Sequence, residues 1–286
     1  MWWALLTIIS GLFDAIMFAL MKKLKETNNS IVVWVQYAFA LPFLLVALYF
    51  YYPQKIDNNV YLIIIENSIL LLISTYFLVK AAQISDLSVS MPLLSFTPLF
   101  LLFLSYAILK EMPTLYGFIG IILITIGAYI INIRDFRSGI FQPLKSLITN
   151  KGSLYAIIVA FIWSITANLF KLGILASNPI FFSASVYLVI SFVMLPIIFY
   201  RLKDNFSEIK LNFGLLSILG FSGAVMIITS SIPMLYAIVP YVISLKRSSV
   251  IFTVLIGYYL FKERNIKYAL IGTIIMLVGG VLITLF

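Results

Sequence analysis

The chain contains no cysteine and no histidine, and each absence removes a class of chemistry. Without them there is no thiol nucleophile, no Ser-His-Asp triad, no imidazole proton relay, no Cys/His metal site and no disulfide. Charge is scarce as well: Asp, Glu, Lys and Arg make up 10% of the chain, against 63% hydrophobic residues. So few polar side chains cannot cover a globular surface. A GxxxxGK[ST] run is missing, so any uphill movement of a solute must draw on a gradient rather than on ATP. No paired-acid or nucleophile-base constellation appears either, so the reading is of a non-enzyme with no cofactor and no metal.

What the chain does have is a series of apolar stretches close to 20 residues long, which point to membrane-spanning helices rather than to the alternating ten-residue segments of a barrel. Ten spans are expected near 2–21, 30–51, 60–80, 87–109, 114–133, 152–174, 179–200, 212–235, 240–261 and 266–285. The first starts at Trp2 with no basic region before it and no small-residue cleavage site after it, and reads as a retained helix. The one marked composition shift is the segment from Arg134 to Lys151, which leaves five spans on each side. The predicted fold class is therefore all-α, a polytopic membrane protein of ten transmembrane helices. Its units are a first five-helix repeat over 1–135, a linker over 136–151 and a second repeat over 152–286.

The two halves match each other. A shift of 152 residues superposes Phe100 on Phe252, Tyr106 on Tyr258, Lys110-Glu111 on Lys262-Glu263, Gly120 on Gly272 and Gly127 on Gly279. Shared Leu and Ile carry little weight, but a Lys-Glu pair at the same helix end and two glycines at the same spacing carry more. An odd number of spans per half places the copies in opposite orientations, the inverted-repeat construction of secondary transporters. Gly120 and Gly127, like Gly272 and Gly279, lie seven apart on one helix face, where close approach of a neighbouring helix is expected. Of the Lys and Arg in loops or near span ends, only Lys55, Lys110 and Lys171 fall on the side of the loops after even-numbered spans. That bias places the odd loops in the cytoplasm and both termini outside. The net charge of +9 reads as topology and contact with anionic lipid, not nucleic-acid binding.

Charges inside spans ask for a reason, because each costs roughly 2.5–3.5 kcal/mol at the bilayer centre on insertion scales. Lys246 and Arg247 lie within YVISLKRSSVIFTVLIGYYLF, the ninth span. Lys246, Ser249, Thr253 and Gly257 fall on one arc of that helix, as expected of a water-facing side, while the alternative is snorkelling of two long basic stems to the interface. Asp14 is the second such charge. It is either a proton or cation exchange site or a partner for Lys22, Lys246 or Arg247. Glu66 lies nearer a helix end and reads as interfacial. Pro92 and Pro98 bend the fourth span, where Ser88, Ser90, Ser95 and Thr97 form a polar arc that the repeat places opposite Lys246. Tyr76, Lys80, Gln83, Thr229, Ser230, Tyr236 and Tyr241 gather at span ends, as interfacial belt or as substrate contacts. Trp163, Thr166, Asn168 and Lys171 give the sixth span a polar face.

The duplicated ten-span plan, Trp163-Ser164 in the sixth helix, and the Lys-Glu ends followed by G-x6-G together resemble the EamA-like members of the drug/metabolite transporter superfamily. On that resemblance the two repeats are EamA-like units and the cavity lies between the third, fourth, eighth and ninth helices. It also implies cytoplasmic termini, opposite to the loop charges. The ninth helix is similar to that of the triose-phosphate/phosphate translocators, where a Lys-Arg pair holds the substrate phosphate; this would map onto Lys246 and Arg247. The first helix is similar to that of small multidrug-resistance proteins, in which an embedded acid followed eight residues later by Lys exchanges protons for cations, as Asp14 and Lys22 are spaced.

These observations predict a secondary transporter of the cell (plasma or inner) membrane, acting as a monomer by alternating access on a small polar or anionic metabolite: an amino acid, an organic acid or a phosphorylated metabolite. The substrate-binding set is Lys246, Arg247, Ser249, Thr253, Ser95, Tyr241, Lys80 and Tyr76, with Asp14 as the coupling group. Its partners are the small-molecule substrate and membrane lipid. The alternatives are a proton-coupled exporter of cationic or aromatic drugs and, in another class, a lipid flippase or a non-transporting membrane scaffold.

Overall fold

The apolar runs fold as helices, and prolines or turn residues mark the places where they break. In the computed structural model the described residues are 2–24, 27–84, 93–132, 141, 144–145, 149–261 and 266–285. In the first half the helices are α1 (Trp2–Lys23), α2 (Asn29–Ala38), α3 (Leu41–Phe50), α4 (Val60–Ile84), α5 (Thr97–Leu109) and α6 (Leu115–Asn132). In the second they are α7 (Lys151–Leu175), α8 (Pro179–Leu211), α9 (Phe213–Ser231), a 3-10 turn (Ile232–Leu235), α10 (Val239–Lys246), α11 (Ser249–Phe261) and α12 (Ile266–Leu285). No strand occurs among the described residues. Among the described residues seven stretches are long and apolar enough to cross a membrane, and three shorter apolar helices accompany them, Thr97–Leu109, Leu115–Ile131 and Leu270–Leu285. Residues 85–92 and most of 133–148 lie outside the described residues, and with them Ser88, Ser90, Pro92 and much of the expected linker; Lys262-Glu263 does too.

One expected boundary moves. The hydropathy pattern predicts a seventh span over 179–200 with a polar loop after it, but α8 continues as helix to Leu211. Between Pro196 and Asn212 the sequence has no glycine or proline to stop it, and the charged residues of RLKDNFSEIK include good helix formers.

Among the described residues three spans are interrupted at mid-length. α2 gives way to α3 at Phe39–Ala40, a turn precedes α5 at Ser95–Phe96, and α10 gives way to α11 at Arg247–Ser248. Pro42 and Pro98 occupy the first turns of α3 and α5, where a missing N–H costs nothing because the first helical donors are unpaired anyway. The turns at Ser95–Phe96 and Arg247–Ser248 are related by the same 152-residue shift as the sequence repeat. Interrupted backbone at membrane depth is tolerated only where protein or a water-filled cavity surrounds it.

Small residues set how closely these elements approach. A Cβ on Gly127 would stand 2.6 Å from the carbonyl oxygen of Gly272, and one on Gly272 would meet that of Gly127 at the same distance. Gly120 and Gly279 show the same reciprocal 2.6 Å relation. Partner numbers rise along α6 as they fall along α12, so the two helices run antiparallel with their backbones in contact. α4 crosses α7 antiparallel as well: Asn67 Nδ2 donates to Thr166 O at 2.8 Å, and the rings of Phe77 and Tyr155 meet at 5.3 Å. α1 is tied to α9 by Ser10 Oγ donating to Met226 O at 3.0 Å. Gly11 fits α1 against the α10–α11 break, where its Cβ would lie 3.0 Å from Ser249 N and 3.1 Å from Lys246 O. A large apolar cluster including Val35, Leu44, Phe182, Ile190 and Leu216 unites α2, α3, α8 and α9.

Candidate functional site

The site is built at the α10–α11 break. Helix α10 is only eight residues long and ends at Lys246, with Arg247 as its C-cap. The guanidinium of Arg247 reaches the opposite half of the chain, where Nη2 donates to Thr97 Oγ1 at 2.8 Å. Thr97, the first residue of α5, passes its own proton to Leu94 O at 2.8 Å. On the guanidinium's flank lies the Trp163 ring of α7, its centroid 5.8 Å from Arg247 Cζ, in range for a cation–π contact worth about 2 kcal/mol when desolvated. Arg247 Nε is buried with no hydrogen-bond partner, as are Ser244 Oγ and Ser248 Oγ beside it.

Lys246 points toward α9, its Nζ 3.0 Å from the thioether of Met226, which is a weak acceptor. Neither cation forms an ion pair with another described residue. Asp14 is partly buried on α1, three residues beyond Gly11, which lies against the α10–α11 break. Two cations and one carboxylate thus surround the break without a direct pair among them. A buried cation with unspent donors is costly unless an anion or water completes it, so this arrangement is suited to receive a carboxylate or phosphate.

Of the residues singled out from sequence, Lys246, Arg247, Ser249, Ser95, Thr253 and Asp14 come to or near this break. Ser249 is buried, and its carbonyl accepts from Thr253 Oγ1 at 2.8 Å. Ser95 is buried in the turn before α5. Tyr241 lies at the other end of α10: its hydroxyl accepts from Thr114 N at 2.9 Å and lies 3.2 Å from Thr114 Oγ1. Lys80 and Tyr76 are elsewhere. The Lys80 ammonium sits 5.5 Å from the Tyr76 ring, and Tyr76 lines an outer cleft with Asn29, Ser30, Thr75 and Val193. The partners of Arg247 and Lys246 come from the fourth, sixth and eighth spans, and the third contributes none of them among the described residues. Trp163, Thr97 and Met226 lie outside the expected substrate-binding set, although Thr97 was expected on a polar arc opposite Lys246. The first two carried a signal, as the only tryptophan of the sixth span and the hydroxyl beside Pro98; Met226 is indistinguishable from core in sequence.

A second polar group lies one α10 length away. Glu111, just after α5, pairs with Lys171 of α7, which also donates to Ala237 O at 2.9 Å. The second carboxylate oxygen of Glu111 accepts from Val239 N at 2.8 Å, capping the start of α10.

Sequence comparison matches the EamA-like transporter family over residues 1–133 and 150–285. The chain belongs to this family. Its members are transporters and not enzymes, and the two matched stretches correspond to the two halves separated by the 134–151 segment. Among solved structures, a crystal structure described only as that of a protein superposes with a TM-score of 0.77 at 12% identity, over 99% of this chain and 96% of the other; this shows the fold. No curated protein matches the chain.

Proposed function

We propose that this EamA-family membrane protein is a secondary transporter of a small anionic or polar metabolite, with Arg247 and Lys246 holding a carboxylate or phosphate at the α10–α11 break. The observation that carries the reading is the guanidinium of Arg247, held by Thr97 from the other half of the chain and by Trp163 of α7, yet without a carboxylate partner among the described residues. Ser244, Ser248 and Arg247 Nε supply further unspent donors around it. An amino acid, an organic acid or a phosphorylated metabolite fits this chemistry.

The wider reading is of ten spans in two inverted five-helix repeats, 1–135 and 152–286, that alternate access to the site as a monomer in the plasma or inner membrane. The antiparallel glycine contacts of α6 with α12 and the equivalent turns at Ser95–Phe96 and Arg247–Ser248 support it. The second reading, proton-coupled export of cationic or aromatic drugs, draws on Asp14, which shares the same region but forms no ion pair with Lys246 or Arg247.

Counterflow in proteoliposomes tests the proposal. Saturable uptake of an anionic metabolite should be abolished by Arg247→Gln and by Lys246→Gln while both variants remain monodisperse and folded in detergent. Unchanged kinetics in both sinks the site.

A further inference from the structure

We infer that Glu111 and Lys171, with the α10 start they hold, form a gate latch that closes one end of the solute path and must open in each transport cycle. The inference rests on the transport reading above.

Three layers lie in series along α5, α7 and α10. At the site, Arg247 is bonded to Thr97. Beyond it comes an apolar plug of Leu101 from α5, Ala167 from α7 and Val239 from α10, with Leu109 and Ile243 packed against them. Outermost is the ion pair, whose side chains are only 11% and 13% exposed. The first half of the chain supplies Glu111, and the second supplies Lys171, Ala237 and Val239. Both bonds to Glu111 therefore cross between the halves, whereas the Lys171–Ala237 bond lies within the second, and a path opening at this end has to part the two that cross. Other bonds across the same end are Asp57 N to Ala176 O at 2.9 Å and Asn178 Nδ2 to Tyr51 O at 2.8 Å.

Charged groups suit a reversible seal, because on opening they exchange each other for water, whereas an apolar seal alone would expose surface with no compensation. The latch also has a mechanical link to the site. One carboxylate oxygen of Glu111 binds Lys171 and the other caps α10, while Tyr241 on the first turn of α10 is pinned by Thr114. The same helix, eight residues long, ends at Lys246. A helix this short moves as a rigid piece, so an anion drawing Lys246 and Arg247 together tilts α10 and loads its far end, where the latch is.

The absence of cysteine makes the test direct. Ser105 lies on α5 just inside the latch, fully buried and with an unpartnered hydroxyl, so Ser105→Cys supplies a single near-isosteric thiol. A membrane-impermeant maleimide is applied to each face of proteoliposomes in turn. From the face carrying the Glu111 and Lys171 loops, labelling should be slow in Ser105→Cys alone. It should be about tenfold faster or more when Glu111→Gln or Lys171→Gln is added, since removing a buried charged partner shifts a closed–open equilibrium at least that far. Equal labelling rates with a lowered unfolding midpoint would show a purely structural pair and overturn the proposal. If both neutral variants fail to fold, Tyr241→Phe serves instead. It removes one hydroxyl from the same junction and should speed labelling about fivefold, and an unchanged rate there refutes the latch. The assay needs no substrate, so its failure leaves anion binding at Arg247 standing, and loss of that binding leaves the labelling result standing.

Discussion

Replacing Gly127 by alanine adds one methyl group at the α6–α12 crossing, and the geometry fixes what that methyl meets. It would lie 2.5 Å from Met276 Cγ, 2.6 Å from Gly272 O and 3.0 Å from Met276 N. The methionine side chain is flexible and moves aside. The carbonyl and amide are backbone, so relief requires the helices to part by roughly 0.5–1 Å to regain ordinary contact distance. Overpacking of this kind costs about 1–3 kcal/mol, and alanine's better helix propensity returns about 1 kcal/mol at most. The net expectation is a loss of about 1–2 kcal/mol, read as a lower midpoint in SDS-induced unfolding followed by tryptophan fluorescence. Gly272→Ala, whose Cβ would meet Gly127 O at 2.6 Å, should behave alike, and the double variant should cost less than the sum because both methyls force the same separation. Gly214→Ala is the control: nothing lies within 4 Å of its Cβ, so its midpoint should hold or rise slightly. Wild-type stability in Gly127→Ala, or an equal fall in Gly214→Ala, would refute the backbone-contact account.

Asp14→Asn should leave the protein folded, because Asp14 is in no ion pair with Lys246 or Arg247 and its loss strands no directly paired cation. If Asp14 couples protons, the variant loses uptake driven by a pH gradient while counterflow at equal pH survives; loss of both would instead make it a substrate ligand. Reporter fusions within 134–151 should report cytoplasm, as the scarcity of basic residues in the even loops requires, and an extracellular signal there would show that the family's orientation prevails. Trp163→Ala should weaken anion binding about tenfold or more by removing the ring beside Arg247, read as a raised half-saturation in counterflow; an unchanged value would assign the ring to packing alone.

Much of the fold was legible because a bilayer demands long apolar helices, and the spacing of Gly120, Gly127, Gly272 and Gly279 announced close helix approach, though not that these two helices meet each other. The α8 extension was not, since a charged helix continuing past a span reads as a loop in hydropathy. At the site, Lys246 and Arg247 stood out through their cost in the membrane and Thr97 through the polar arc that the repeat sets opposite Lys246, whereas Met226 did not, because a methionine on an apolar helix reads as core. Tyr241 shows the converse. A tyrosine at a span end reads equally as substrate contact or belt, and only the Thr114 bond reveals its place at the α5–α6 connection. Glu111 and Lys171 were visible as a repeated Lys-Glu end and as a basic residue on a polar face, yet nothing in one dimension joins positions 60 residues apart.

The most direct test of the central claim is a ligand titration of the unfolding midpoint in detergent, comparing wild type with Arg247→Gln and Asp14→Asn against organic acids, sugar phosphates, amino acids and quaternary amines. The account predicts that an anionic compound stabilises the wild type, by about 2.7 kcal/mol at a hundred times its Kd, that Asp14→Asn keeps this response and that Arg247→Gln loses it. Stabilisation of wild type and Arg247→Gln alike by a quaternary amine, lost only in Asp14→Asn, would contradict it.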